Sequence, residues 1–227
     1  MNIAANIKKI VNEINLAKLR SNRTSEQVNL VVVTKNRSLT EIQQVLEQGY
    51  GTLGENRVQE LKEKYPSFPD AQWHLIGHLQ RNKVKYITDK VQLVHSLDSL
   101  TLAQEINKKM ESLGKPLDCL VQVNIAEEES KHGIKKEELT YFLKEISPLP
   151  GVNIKGLMTI APEVDNPEEV RPVFRELYRL FEFHKSLSLD GIQMRYLSMG
   201  MTNDYQVAVE EGSNMVRIGS AIFGPRY

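Results

Sequence analysis

Lys35 is the residue around which a reactive site can be built. It closes the run Val31-Val32-Val33-Thr34-Lys35, four strand-forming residues that end in an amine. A strand that carries its last side chain toward a low-dielectric interior disfavours the charged ammonium. Free lysine titrates near 10.4, so about one molecule in 2,500 is the neutral nucleophile at pH 7. Burial or a neighbouring cation raises that fraction, which prepares a lysine for Schiff-base chemistry. A lysine that snorkels from a strand end to solvent is the other use of this position.

A second group of candidates lies near the end of the chain, in Ser198-Met199-Gly200 and Arg217-Ile218-Gly219-Ser220. Gly219 lets backbone approach an anion closely, and Ser220 adds a hydroxyl. Ala221-Ile222-Phe223 could form a short helix whose first N–H groups face that anion. Ser198 and Gly200 offer the same chemistry from the preceding strand. Glycine turns that merely close a fold are the alternative. Arg217 is a permanent cation, able to depress the pKa of a nearby lysine or to form a structural ion pair.

The elements that must position these residues alternate. A stripe of Ile3, Ile7, Ile10, Ile14 and Ala17 predicts an amphipathic helix over 2–20. Strands are expected at 28–35, 51–54, 72–77, 91–95, 117–125, 152–160, 195–198 and 215–218. Helices are expected between them at 39–48, 56–64, 80–88, 99–112, 135–146, 167–187 and 203–211, with a short closing turn to Tyr227. Asn56 and Gln59 carry a capping-box signature for the third helix. Eight strand–helix units imply parallel strands with helical crossovers. They fit a single closed α/β barrel of (β/α)8 type over residues 1–227, with an extra N-terminal helix; an open doubly wound sheet is the rival. In a barrel the last strand pairs with the first, which makes Arg217 a neighbour of Lys35. The strand ends after units seven and eight are also where barrels often hold phosphate.

Composition narrows the function. Lys+Arg and Asp+Glu both number 29, so the chain has no net charge and no basic field for nucleic acid. One cysteine, Cys119, excludes an internal disulfide and suits a reducing compartment as a buried, inert thiol. The N-terminus lacks a signal-peptide core and no run has the length of a membrane span, so the expected location is cytoplasmic. Gly49-Tyr50-Gly51-Thr52-Leu53-Gly54 spells G-x-G-x-x-G but runs from helix into strand, the reverse of the dinucleotide fingerprint. His74 and His78 lack a third ligand at metal spacing.

Taken together, Val33-Thr34-Lys35, Leu53-Gly54-Glu55-Asn56, His74 to Lys83, Ser130-Lys131-His132-Gly133, Gly156-Leu157-Met158, Leu197 to Met201 and Val216 to Gly224 resemble the signatures of the pyridoxal-phosphate homeostasis proteins, also called the YggS or PROSC family. The resemblance runs end to end. That family is similar to the barrel domain of alanine racemase and of bacterial-type ornithine decarboxylases. The resemblance implies pyridoxal 5′-phosphate (PLP) held as an internal aldimine on Lys35, with its phosphate among Ser198, Gly219 and Ser220. It also implies Arg217 near the pyridine nitrogen and Asn56 lining the site. Thr34, His78 and Thr202-Asn203-Asp204 depart from the commoner family residues, and the departure at His78 leaves its role open.

Three functions compete: a PLP carrier acting in storage, buffering or delivery, a racemase-like PLP enzyme, and a class I aldolase. An aldolase needs carboxylates flanking its lysine, and Glu55 is the only acid at the candidate strand ends. A racemase needs a second base, which its family draws from a further domain, and this chain stops after its eighth unit. The expectation is therefore a monomeric carrier that meets apo PLP-dependent enzymes transiently. Lys131, at the barrel mouth, is a candidate second amine for handing the cofactor on.

Overall fold

The computed structural model describes residues 2–128, 132–187 and 189–224. Among these, eight strands run parallel: β1 (Asn29–Val33), β2 (Thr52–Glu55), β3 (Gln72–Leu75), β4 (Leu93–Leu97), β5 (Leu117–Asn124), β6 (Val152–Met158), β7 (Ile192–Ser198) and β8 (Met215–Ile218). Each pairs with the next, and β8 returns to β1 with Val31 opposite Arg217 and Val32 opposite Ile218. The sheet is closed, so the open-sheet alternative falls away. A two-residue bridge, Ile134–Lys135, extends β5 outside the barrel.

Alternation along β1 shows how the sequence fills the two sides. Val31 and Val33 pack inside the barrel with Ile76, Leu93, Leu120, Met158 and Met215. Leu30 and Val32 join the larger apolar layer between strands and helices. That layer is completed by α1 (Ile3–Arg20), α2 (Leu39–Glu47), α3 (Val58–Lys64), α4 (Leu100–Glu111), α5 (Leu139–Ile146), α6 (Arg171–Ser186), α7 (Tyr205–Glu210) and α8 (Ser220–Phe223). The predicted stripe of α1 is the buried one, and each of its four isoleucines contributes roughly 1.5–3 kcal/mol. It packs on α7 and α8, where Asn6 Nδ2 donates to the Ile222 carbonyl at 2.8 Å and the Tyr205 hydroxyl meets Glu13. The N-terminal helix thus braces the last turn of the barrel mouth.

Several predicted boundaries shift. The segment expected as a helix at 80–88 is a 3-10 helix, Arg81–Tyr86, in which only Val84 is buried. The helices expected at 135–146 and 167–187 each open with a 3-10 turn, Lys136–Glu138 and Pro167–Val170. The capping box expected at Asn56 and Gln59 is absent. Arg57 is the N-cap of α3 and Gln59 bonds Glu63 at 2.9 Å instead. Ser38 and Glu41 form a complete capping box at α2.

Gly156 marks a tight contact between β6 and β7. Its φ is +145°, and a Cβ there would lie 1.8 Å from the Tyr196 carbonyl oxygen. Gly156→Ala is therefore expected to remove roughly 3 kcal/mol or more in urea unfolding. A loss below about 1 kcal/mol would show that the strands separate there without cost.

Candidate functional site

Lys35 sits two residues beyond β1, half-buried, rather than in the strand itself as its run of residues predicts. The ladder continues through Thr34 N–H to the Gly54 carbonyl at 2.9 Å, and the chain then turns, with Arg37 N–H bonding the Thr34 carbonyl at 3.0 Å. This turn is tied to α3 on both sides of Lys35. Lys64 Nζ donates to the Thr34 carbonyl at 2.7 Å, to Glu55 Oε1 at 2.7 Å and to Glu60 Oε2 at 2.9 Å. Glu60 Oε2 in turn accepts from Asn36 N–H at 2.7 Å, and Thr34 Oγ1 donates to Glu55 Oε1 at 2.6 Å. Burial raises the Glu55 carboxyl pKa, and the bonds from Lys64 and Thr34 pull it partly back.

On β8, the strand paired with β1, sits a buried cation. Arg217 is only 3% exposed, and its guanidinium donates to Ser198 Oγ at 2.6 Å and to the Thr159 carbonyl at 2.9 Å. Burial lowers its pKa to about 10, with the Asp204 carboxylate opposing the drop, so it remains charged at neutral pH. Behind it, Ser198 Oγ also lies 3.0 Å from His95 Nδ1, and His95 Nε2 lies 3.0 Å from His74 Nδ1. A polar chain of His74, His95, Ser198 and Arg217 therefore runs through the barrel interior. Neither histidine was singled out by the sequence for this role, since pairing between β3 and β4 has no local signature.

A cavity of about 480 Å³ opens at the carboxyl end of the strands. Lys35, Asn56, Arg217, Gly219 and Ser220 all line it, so five of the seven predicted site residues come together. Ser198 and Gly200 do not line it. The Ser198 hydroxyl is engaged by Arg217 and His95, and Gly200 packs against Ala208 and Tyr205 while its carbonyl accepts from Arg217 N–H at 3.0 Å. Thr202, which is not among the residues predicted from the sequence, joins it. Its hydroxyl lies 3.1 Å from Ser220 Oγ and accepts from Ala221 N–H at 3.4 Å. Asn56 Oδ1 is buried without a hydrogen-bond partner, an acceptor left over at the cavity wall. His78 lies outside this cavity, and Lys131 lies outside the described residues. Cys119 is buried and its thiol pKa is pushed up by burial, so it stays protonated and unreactive.

Residues 8–227 match the family model described as "Alanine racemase, N-terminal domain". A pyridoxal phosphate homeostasis protein of Aquifex aeolicus is 40% identical over 229 residues, covering 100% of this chain and 99% of that protein. Its counterpart in Haemophilus influenzae is 39% identical, covering 100% of this chain and 97% of that protein. This chain belongs to the pyridoxal phosphate homeostasis protein family. A solved structure of PipY from Synechococcus elongatus PCC7942, with PLP bound, is 29% identical with a TM-score of 0.85, covering 98% of this chain and 100% of that one. No helix among the described residues is long and apolar enough to cross a membrane.

The buried histidines of this family member give its stability a pH dependence. Burial lowers His74 to about 4 and His95 well below its ordinary value, so the folded chain refuses protons that the unfolded chain accepts. Stability is then complete above about pH 6.5 and falls as pH drops toward 4, by about 1.4 kcal/mol per pH unit per histidine. His74→Gln is expected to flatten the slope of urea-unfolding free energy against pH by about that amount within this window. An unchanged slope would mean that His74 is protonated in the folded chain.

Proposed function

We propose that the protein binds pyridoxal 5′-phosphate at this cavity, covalently through Lys35, and serves intracellular PLP homeostasis by storing, buffering or delivering the cofactor. The observation that carries this reading is the convergence of one amine, one guanidinium and a hydroxyl-lined glycine turn on a single cavity. The PLP bound to PipY and the name of the closely similar relatives support it.

The residues present fit the group. When bound, PLP supplies an aldehyde that condenses with a primary amine and a ring that withdraws electrons from what is attached to it. Lys35 offers the amine, on a turn held on both sides by α3. Gly219, Ser220 and Thr202 offer donors for a phosphate; charge-assisted bonds of this kind run to about 1.5–3 kcal/mol each. Asn56 Oδ1 offers an acceptor that has no other partner. Arg217 holds a fixed positive charge, which would keep a ring nitrogen beside it unprotonated and so weaken the ring as an electron sink. Ser198 acts one step back, by fixing Arg217.

The carrier reading is favoured over a racemase-like enzyme by what else lines the cavity. Among the described lining residues there is no histidine or tyrosine to serve as a base opposite Lys35, and such help is typically worth 10²–10⁴-fold. His95 is fully buried beneath, bonded to His74 and Ser198. The implied partners are the apo forms of PLP-dependent enzymes, met transiently by a cytoplasmic monomer.

Borohydride reduction of the PLP-loaded chain followed by peptide mapping is expected to place the pyridoxyl group on Lys35 and to give no label in Lys35→Ala. Label found reproducibly on another lysine, or none in the wild type, would remove the assignment.

A further inference from the structure

His78, whose role the family resemblance leaves open, meets two partners that lie far away in sequence. It follows β3, Asp98 follows β4 and His132 follows β5, so three loops at the same end of the barrel converge beside the main cavity. His78 Nδ1 lies 3.2 Å from Asp98 Oδ2, and His132 Nδ1 lies 3.8 Å from the same oxygen. The three prospective ligand atoms all lie within 4.8 Å of one another. The two imidazoles are stacked, with centroids 3.9 Å apart and planes at 9°. The Asp98 side chain is 9% exposed, whereas both rings reach solvent. His78 and His132 also line a side cavity of about 260 Å³ with Gln122 and Asn124, and this cavity shares Asn56, Ile76 and Ile160 with the main one.

We propose that His78, Asp98 and His132 form a binding site for a divalent transition-metal ion of the zinc class. Two imidazoles and one carboxylate are a donor set suited to such ions, whereas magnesium and calcium prefer all-oxygen sites. Ligand atoms about 2.0–2.1 Å from a tetrahedral zinc lie about 3.3 Å apart, and the two nitrogen–oxygen separations fall on either side of that spacing. One imidazole is within hydrogen-bond reach of Asp98. The other stands beyond it, with its Nδ1 across a gap from an anionic oxygen, and an ion between them would bridge that gap. For both nitrogen lone pairs to reach one ion, the rings must swing out of their stack. Both are exposed side chains on loops, so the motion costs the stacking contact and no core packing. Three protein ligands leave a coordination position for water.

The test uses the full chain, prepared without a histidine tag, stripped with a chelator and dialysed. Zinc(II) is titrated in competition with a chromophoric chelator, and cobalt(II) is followed by its visible ligand-field bands. The expected result is saturable binding of one ion per chain. His78→Ala and His132→Ala should each weaken binding by at least roughly tenfold, since loss of a ligand exceeds the 10–100-fold cost of losing an outer-shell partner. Cobalt(II) should also shift the ring C–H proton signals of two histidines, a readout that requires direct ligation, and thermal melts of the variants should match the wild type. Absence of saturable binding, equal affinity in the double histidine variant, or histidine signals that respond only to pH as an ion pair with Asp98 would each overturn the proposal.

Discussion

A guanidinium buried inside the barrel is the constraint on which the rest of the site depends. Removing a cation from water costs several kcal/mol unless hydrogen bonds and opposite charge replace the solvent. Arg217 meets that demand with the Ser198 hydroxyl and the Thr159 carbonyl, drawn from the ends of β7 and β6, and with the nearby charge of Asp204. These partners converge only because the sheet closes. With β8 seated against β1, Arg217 is held in register with Val31, four residues before Lys35. Closure therefore does two things at once: it hides the edges of the sheet, and it brings a buried cation to the cavity that Lys35 also lines.

The amine is positioned by a different set of forces. Lys64, Glu55, Glu60 and Thr34 form a compact network behind the turn, with the backbone on both sides of Lys35 bound into it. Breaking such a buried pair by removing one partner typically costs about 3–5 kcal/mol, because the remaining charge is left uncompensated. The network thus exchanges local tolerance to mutation for a fixed path of the turn that carries Lys35. At the far wall, α1 braces α8 through Asn6, and Arg37 caps the same helix by donating to the Gly224 carbonyl at 2.7 Å. Segments remote in sequence hold both walls of the cavity.

Much of this was legible before any coordinates. The stripe of α1 could be read because five buried residues repeat at helical spacing, and the strands because short apolar runs alternate with amphipathic ones. The end-to-end resemblance named the family that the comparisons then showed. What escaped was what depends on strands meeting in space. Asn56 reads as a helix cap by local pattern, yet its neighbour Arg57 takes that place and the Asn56 oxygen faces the cavity wall unpartnered. Ser198 reads as a phosphate ligand, yet a cation and a histidine from other strands occupy its hydroxyl. Thr202 became visible only through its contact with Ser220. Likewise, His78 had no metal-spaced partner along the chain, because Asp98 and His132 reach it from separate loops.

One cavity joins Lys35 to the glycine–serine turn at Gly219 and Ser220, which we propose receives a phosphate. A crystal structure of the chain grown with PLP tests this most directly. Density is expected to be continuous with Lys35 Nζ, with the phosphate against Gly219 and Ser220 and the ring edge beside Arg217. PLP with its phosphate seated elsewhere, for example among the side-cavity residues His78 and His132, or with no link to Lys35, would contradict it.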